Sequence, residues 1–185
     1  MFSINHPQQN ETIRTYFAAH GVGAAGPAIT GRLLQGTTLV RHGTVRCQPP
    51  DWVIEFENAP PGGNYALEIH QAGAVLGRVF PFTIAEHEFS GEAEIEAAAG
   101  TLRITYPSNN GGPYCQSQLV CYGPSSDALD PASFATFAVT ANILRDGPFQ
   151  FMVQFLRING PGPATLTITN RSGGTDTKTI PLQMC

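Results

Sequence analysis

Residues 52–69, WVIEFENAPPGGNYALEI, recur without a gap as residues 151–168, FMVQFLRINGPGPATLTI. Trp52 falls on Phe151, Ile54 on Val153, Phe56 on Phe155, Gly63 on Gly162, Leu67 on Leu166 and Ile69 on Ile168. In each copy apolar and polar side chains alternate, a Pro/Gly/Asn turn intervenes, and the alternation resumes. Successive side chains of a strand point to opposite faces, so this pattern predicts strand, loop, strand, twice over. A chain built this way has little choice but a tandem all-β architecture.

The flanks extend the match. Residues 102–107, LRITYP, align with residues 2–7, FSINHP, and residues 114–123, YCQSQLVCYG, align with residues 12–21, TIRTYFAAHG. Residues 180–182, IPL, align with residues 80–82, FPF; proline in both closing strands predicts an edge position or a bulge. Residues 12–20 read as one strand with Ile13, Thr15, Phe17 and Ala19 on a shared face, and Cys115, Leu119 and Cys121 take the places of Ile13, Phe17 and Ala19. The halves differ in two places. Residues 37–47 read as a small hairpin turning at His42-Gly43, where the second half has only the tight turn Arg145-Asp146-Gly147-Pro148, and the loop at residues 124–133 is longer in the second half.

The division that follows is a first β-sandwich over residues 1–86, an acidic connector over 87–100 and a second β-sandwich over 101–185. Residues 86–100 hold five of the 14 acidic residues, which suits a solvated link with some local structure. With 42% hydrophobic residues the chain can build cores, while 13% charged residues, 20 glycines and 15 prolines point to frequent turns rather than long solvated helices. A net charge of −4 with scattered basic residues excludes a nucleic-acid footprint, and the apolar runs are too short for a transmembrane segment. Lys178 is the single lysine. Residues 1–9, MFSINHPQQ, carry neither the basic start nor the apolar run of a signal peptide, so the chain reads as cytoplasmic or as a mature or trimmed chain.

Two units of about 80–90 residues, each with six or seven short strands and regular turn signals, resemble immunoglobulin-like or fibronectin-type-III-like sandwiches. The resemblance is to the broad class of bacterial Ig-like tandem modules and spans nearly the whole chain; it implies an extracytoplasmic setting. The Cys…Trp…Cys pattern of antibody domains is missing.

Candidate chemistry is sparse. Cys115 and Cys121, six apart in one strand, would stand roughly 20 Å from each other, beyond the about 7 Å a disulfide spans. Both read as buried thiols, Cys47 has no motif partner, and the terminal Cys185 is placed to pair with a neighbour. All five histidines precede residue 88; His20 and His70, beside the glycine-rich loop 21–26, form the weak metal candidate, against which stands the reading of ordinary strand-end histidines. Trp52 reads as core, and Tyr106, Tyr114 and Tyr122 as the exposed aromatics. Asp127, Asp130 and Asp176 are loop carboxylates without a calcium-loop pattern. Asn10 and Asn170 begin N-x-S/T triplets.

No GxSxG, nucleotide loop or spaced acid/base pair is present, so neither a catalytic residue nor a cofactor is assigned. The function expected is a non-enzymatic interaction or structural module of a cell-surface, secretion or adhesion system, with a protein partner. The alternative is a small-ligand module, for carbohydrate or metal, using the loops of the first domain; a third reading is an accessory domain of a larger enzyme.

Overall fold

A computed structural model describes residues 1–23, 26–86, 100–108, 111–160 and 162–185. The acidic connector, Gly100 apart, lies outside the described residues. The chain divides into two compact units, Met1–Glu88 and Phe89–Cys185.

The first unit runs β1 (Ser3–His6), β2 (Thr12–Arg14), β3 (Phe17–Val22), β4 (Ile29–Gln35), β5 (Thr38–His42), β6 (Thr44–Cys47), β7 (Asp51–Phe56), β8 (Gly62–Gln71) and β9 (Ala74–Ala85). Its sheets have the orders β1-β3-β7-β6 and β2-β9-β8-β4-β5. Between them lie Phe17, Ile29, Leu33, Trp52, Ile54, Phe56, Tyr65, Leu67, Ile69 and Phe82, each at most 1% exposed. Phe17 stacks on Phe56 at 4.9 Å and meets Phe82 edge-on.

The second unit runs β10 (Tyr114–Cys115), β11 (Gln118–Ser125), β12 (Leu129–Asp130), a 3-10 turn (Pro131–Phe134), β13 (Ala138–Asp146), β14 (Phe149–Ile158), β15 (Gly162–Asn170) and β16 (Thr175–Gln183). The sheets are β11-β14-β13 and β10-β16-β15-β12, and residues 102 and 106 bridge to Ser125 and Tyr122 of β11. Each unit is therefore an Ig-like pair of sheets, the fold class read from the sequence.

The repeat is visible atom by atom. Phe17, Ala19 and Gly21 stand opposite Phe56, Ile54 and Trp52; Leu119, Cys121 and Gly123 stand opposite Phe155, Val153 and Phe151. A Cβ on Gly21 would lie 2.0 Å from the Ser3 carbonyl oxygen, and one on Gly123 would lie 2.0 Å from that of Arg103, so at both places only glycine lets the opening segment approach. Just past the first repeated run the backbone turns left-handed at Asn58 (φ 51°) and at Arg157 (φ 54°).

Three expectations need correction. Residues 12–20 are not one strand: β2 pairs parallel with β9 in one sheet, and β3 pairs with β1 and β7 in the other. The same split separates β10, parallel to β16, from β11. A period of two cannot reveal a sheet change, because the inward residues stay inward. Residues 37–47 are not a hairpin either. β5 pairs with β4 and β6 with β7, so the chain changes sheets at Gly43, where a Cβ would collide with Ile54 and Phe56. Finally, Cys115 is not a buried thiol: it is disulfide-bonded to Cys185 with Cα atoms 5.6 Å apart, tying β10 to the end of β16, while Cys47 and Cys121 are thiols outside any disulfide. Both prolines of the closing strands, Pro81 and Pro181, sit in β9 and β16, which pair on their outer side only through the short β2 and β10.

Candidate interaction edge in the second unit

Among the described residues the sequence-derived candidates are spread over separate elements. His20 lies on β3, where it is 1% exposed and packs against the His6 ring at 5.5 Å. Burial, reinforced by His6, pushes its pKa down to about 3, so the ring is neutral at physiological pH. His6 Nδ1 lies 3.2 Å from Glu11 Oε2. Burial raises the Glu11 pKa, but His6 and the Gln8 amide outweigh it and hold the carboxyl below its ordinary value. His70 belongs to β8, in the other sheet, with Nε2 2.9 Å from Glu68 Oε2. Among the described residues no three His, Cys, Asp or Glu side chains converge as metal ligands.

Trp52 is fully buried and stacks on Phe2 at 5.6 Å. The tyrosines expected at the surface are buried instead, with Tyr106 7%, Tyr114 9% and Tyr122 1% exposed. Tyr106 stacks on Tyr122 at 5.5 Å in the place that His6 and His20 hold in the first unit, which is why alternation alone misassigned them. The three carboxylates read as loop residues are engaged by nearby groups, two of them from strands: Asp127 accepts from the Ser172 hydroxyl and the Ala128 amide, Asp130 of β12 caps the 3-10 turn through the Ala132 amide, and Asp176 of β16 accepts from the Ile104 amide. The Ser172 hydroxyl lowers the Asp127 pKa. Asn170 is 2% exposed, its amide nitrogen donates to Thr101 O and Ser125 Oγ, and its Oδ1 accepts from Gly174, so it is closed to modification in the folded chain. A cluster with no sequence signal is Glu55, 2% exposed, accepting from Tyr16 Oη at 2.6 Å and Arg46 Nη2 at 2.5 Å. Its partners make it a satisfied buried carboxylate.

The most distinctive open surface among the described residues is an edge. β13 pairs with β14 from Ala138 to Asp146 and with no other described strand. Four consecutive residues, Val139, Thr140, Ala141 and Asn142, are exposed, Val139 at 64%. The run AVTANIL holds no charge, proline or glycine. Natural proteins usually blunt such edges with charges, prolines, bulges or brevity. The corresponding edge of the first unit does so: β6 has four residues, a register shift between Val45 and Cys47, and Pro49-Pro50 beyond Gln48. β13 carries one shift, between Ile143 and Arg145.

No family model and no curated protein sequence matches the chain. Among solved structures, the fibronectin(III)-like modules of Clostridium thermocellum CbhA align over 100% of this chain and 95% of theirs, at 14% identity and a TM-score of 0.32. Tandem Ig repeats of Dlar align over 100% and 98%, at 12% identity and 0.31. The BSP domain of a biofilm associated protein aligns over 98% of this chain and 30% of that one, at 15% identity and 0.40. Strand order and register place the chain in the class of tandem Ig-like β-sandwich proteins.

Proposed function

We propose that the protein is a non-enzymatic interaction module of a surface, secretion or adhesion system, and that it engages a protein partner by strand addition at β13. The observation that carries this is the run of four exposed, uncharged residues on a nine-residue edge strand. An open edge offers a row of backbone donors and acceptors, and an added strand satisfies them while side chains on alternate faces supply selectivity. The Cys115–Cys185 disulfide supports an oxidising, extracytoplasmic setting.

The test is site-specific photo-crosslinking in the source cells, with the crosslinker at Ala141 and, as control, at Thr177 of β16. Adducts with defined partners are expected from position 141 alone, and they should vanish when Val139→Lys and Asn142→Pro are introduced. Equal yields from both positions, or adducts untouched by the edge substitutions, would exclude β13 as the contact.

A further inference from the structure

Strand β4 of the first unit pairs with β8 over seven positions, from Ile29 opposite Gln71 to Gln35 opposite Tyr65. Its counterpart in the second unit, β12, pairs with β15 at only two, Leu129 with Asn170 and Asp130 with Thr169. The chain then leaves β15 through the 3-10 turn, and Ser133 Oγ accepts the Thr169 amide at 3.0 Å in place of a strand partner. Amides alternate sides along a strand, so those of Thr167 and Thr165 point the same way as that of Thr169. No described strand meets them. Beside them lies a cavity of about 300 Å³ lined by Phe134, Phe137, Asn159, Ala164, Thr165 and Thr167, together with Ser133 and Thr136. Nothing charged lines it.

The core below this gap is complete. Phe134 and Phe137 cover Phe155 edge-on at 5.5 and 4.9 Å, while in the first unit Phe56 is approached by Gly31 of β4 and by Gly43. What the second unit lacks is therefore backbone pairing along β15 and the volume of one or two side chains.

We infer that this gap is a second acceptor site, distinct from β13: an extended segment of a partner protein with no charged side chain on its inward face adds antiparallel to β15 over residues 163–168, as β4 does to β8. The first unit supplies the template for its chemistry. In β4, Ile29, Gly31 and Leu33 are buried and the residues between them face outward, so the occupant carries apolar residues of modest size at alternate positions. A charged inward side chain would lose its hydration against a neutral lining with no counter-ion, which selects against it.

The probe is a synthetic peptide of residues 28–35, AITGRLLQ, titrated into the ¹⁵N-labelled full chain. The expected result is movement of the Thr165 and Thr167 amide signals and slowing of their hydrogen exchange by at least about tenfold, with an Arg32→Pro peptide inactive because position 32, opposite Glu68 in the first unit, is one whose amide faces the paired strand. A Thr167→Pro protein, which loses an amide outside the β15–β16 ladder, should keep its spectrum and lose the response. Protection at residues 139–142 instead would overturn this site while supporting β13 as the edge that takes strands. Protection changes confined to β8, from displacement of β4, would also overturn it, as would no response at about 1 mM peptide.

Discussion

On one side of each sandwich the same problem is solved twice and differently. In the first unit a seven-residue strand, β4, completes both the core and the hydrogen-bonding of β8, and β5 extends the sheet further. In the second, Phe134 and Phe137 restore the core from a turn, but a turn cannot restore the ladder. Burying apolar surface is non-directional and any well-placed aromatic will serve; pairing backbone amides requires another extended backbone. A unit of this plan can thus complete its core without the full strand and leave one edge of its sheet open.

Substitutions at matched positions test how far the two units share one plan. The largest effects are expected at the aligned core positions: Trp52→Ala and Phe151→Ala should each cost about 3–5 kcal/mol, read as a shift in urea unfolding, and similar losses would confirm that the copies share one core plan. Next comes the crosslink that only the second unit has. Cys185→Ser releases a loop with a sequence separation of 70 residues and should cost about 2–4 kcal/mol; thiol titration of the denatured, unreduced protein should find only Cys47 and Cys121.

A smaller effect separates the units by pH. Because the folded His20 pKa is about 3 against an ordinary 6.5, below about pH 6.5 the unfolded chain binds a proton that the folded chain refuses. Stability must then fall as pH falls, by up to about 1.4 kcal/mol per unit until about pH 3, or about 2 kcal/mol by pH 5. Urea midpoints across that range should show the slope, and the double substitution His6→Tyr, His20→Tyr, which copies the second unit, should flatten it. The smallest effect lies at the shared left-handed turn. Arg157→Gly should raise stability by about 0.5–1 kcal/mol, since a long side chain is strained there, whereas Asn58→Gly should change little because asparagine tolerates that region.

The repeat made most of this architecture legible. Alternation located Trp52, Ile54, Phe56 and their counterparts in the core, while the close approach at the aligned Gly21 and Gly123 emerges only from the structure. It could not show the passage from β2 to β3, or from β5 to β6, since a strand that changes sheets keeps its inward face. Tyr106 and Tyr122 were misread because a buried stack needs a partner on a neighbouring strand, which register supplies and sequence does not. The Cys115–Cys185 pair was hidden for the same reason: β10 and β16 are neighbours only through parallel pairing across the unit. The edge at β13 was not read from the sequence: the run AVTANIL is uncharged there, but that it pairs on one side only, with β14, is settled by register.

The parallel pairing of β2 with β9 and of β10 with β16 has a mechanical consequence. When a chain is pulled from both ends of such a unit, the entering and leaving strands slide past each other, so their hydrogen bonds are loaded in shear together instead of being unzipped one at a time. In the first unit that clamp is three residues long. In the second it is two residues long and bolted by a covalent bond. Force arriving at residue 115 passes straight to residue 185, and everything between them stays out of the load path, giving residues 115–185 a fixed length under tension where the first unit can pay out chain.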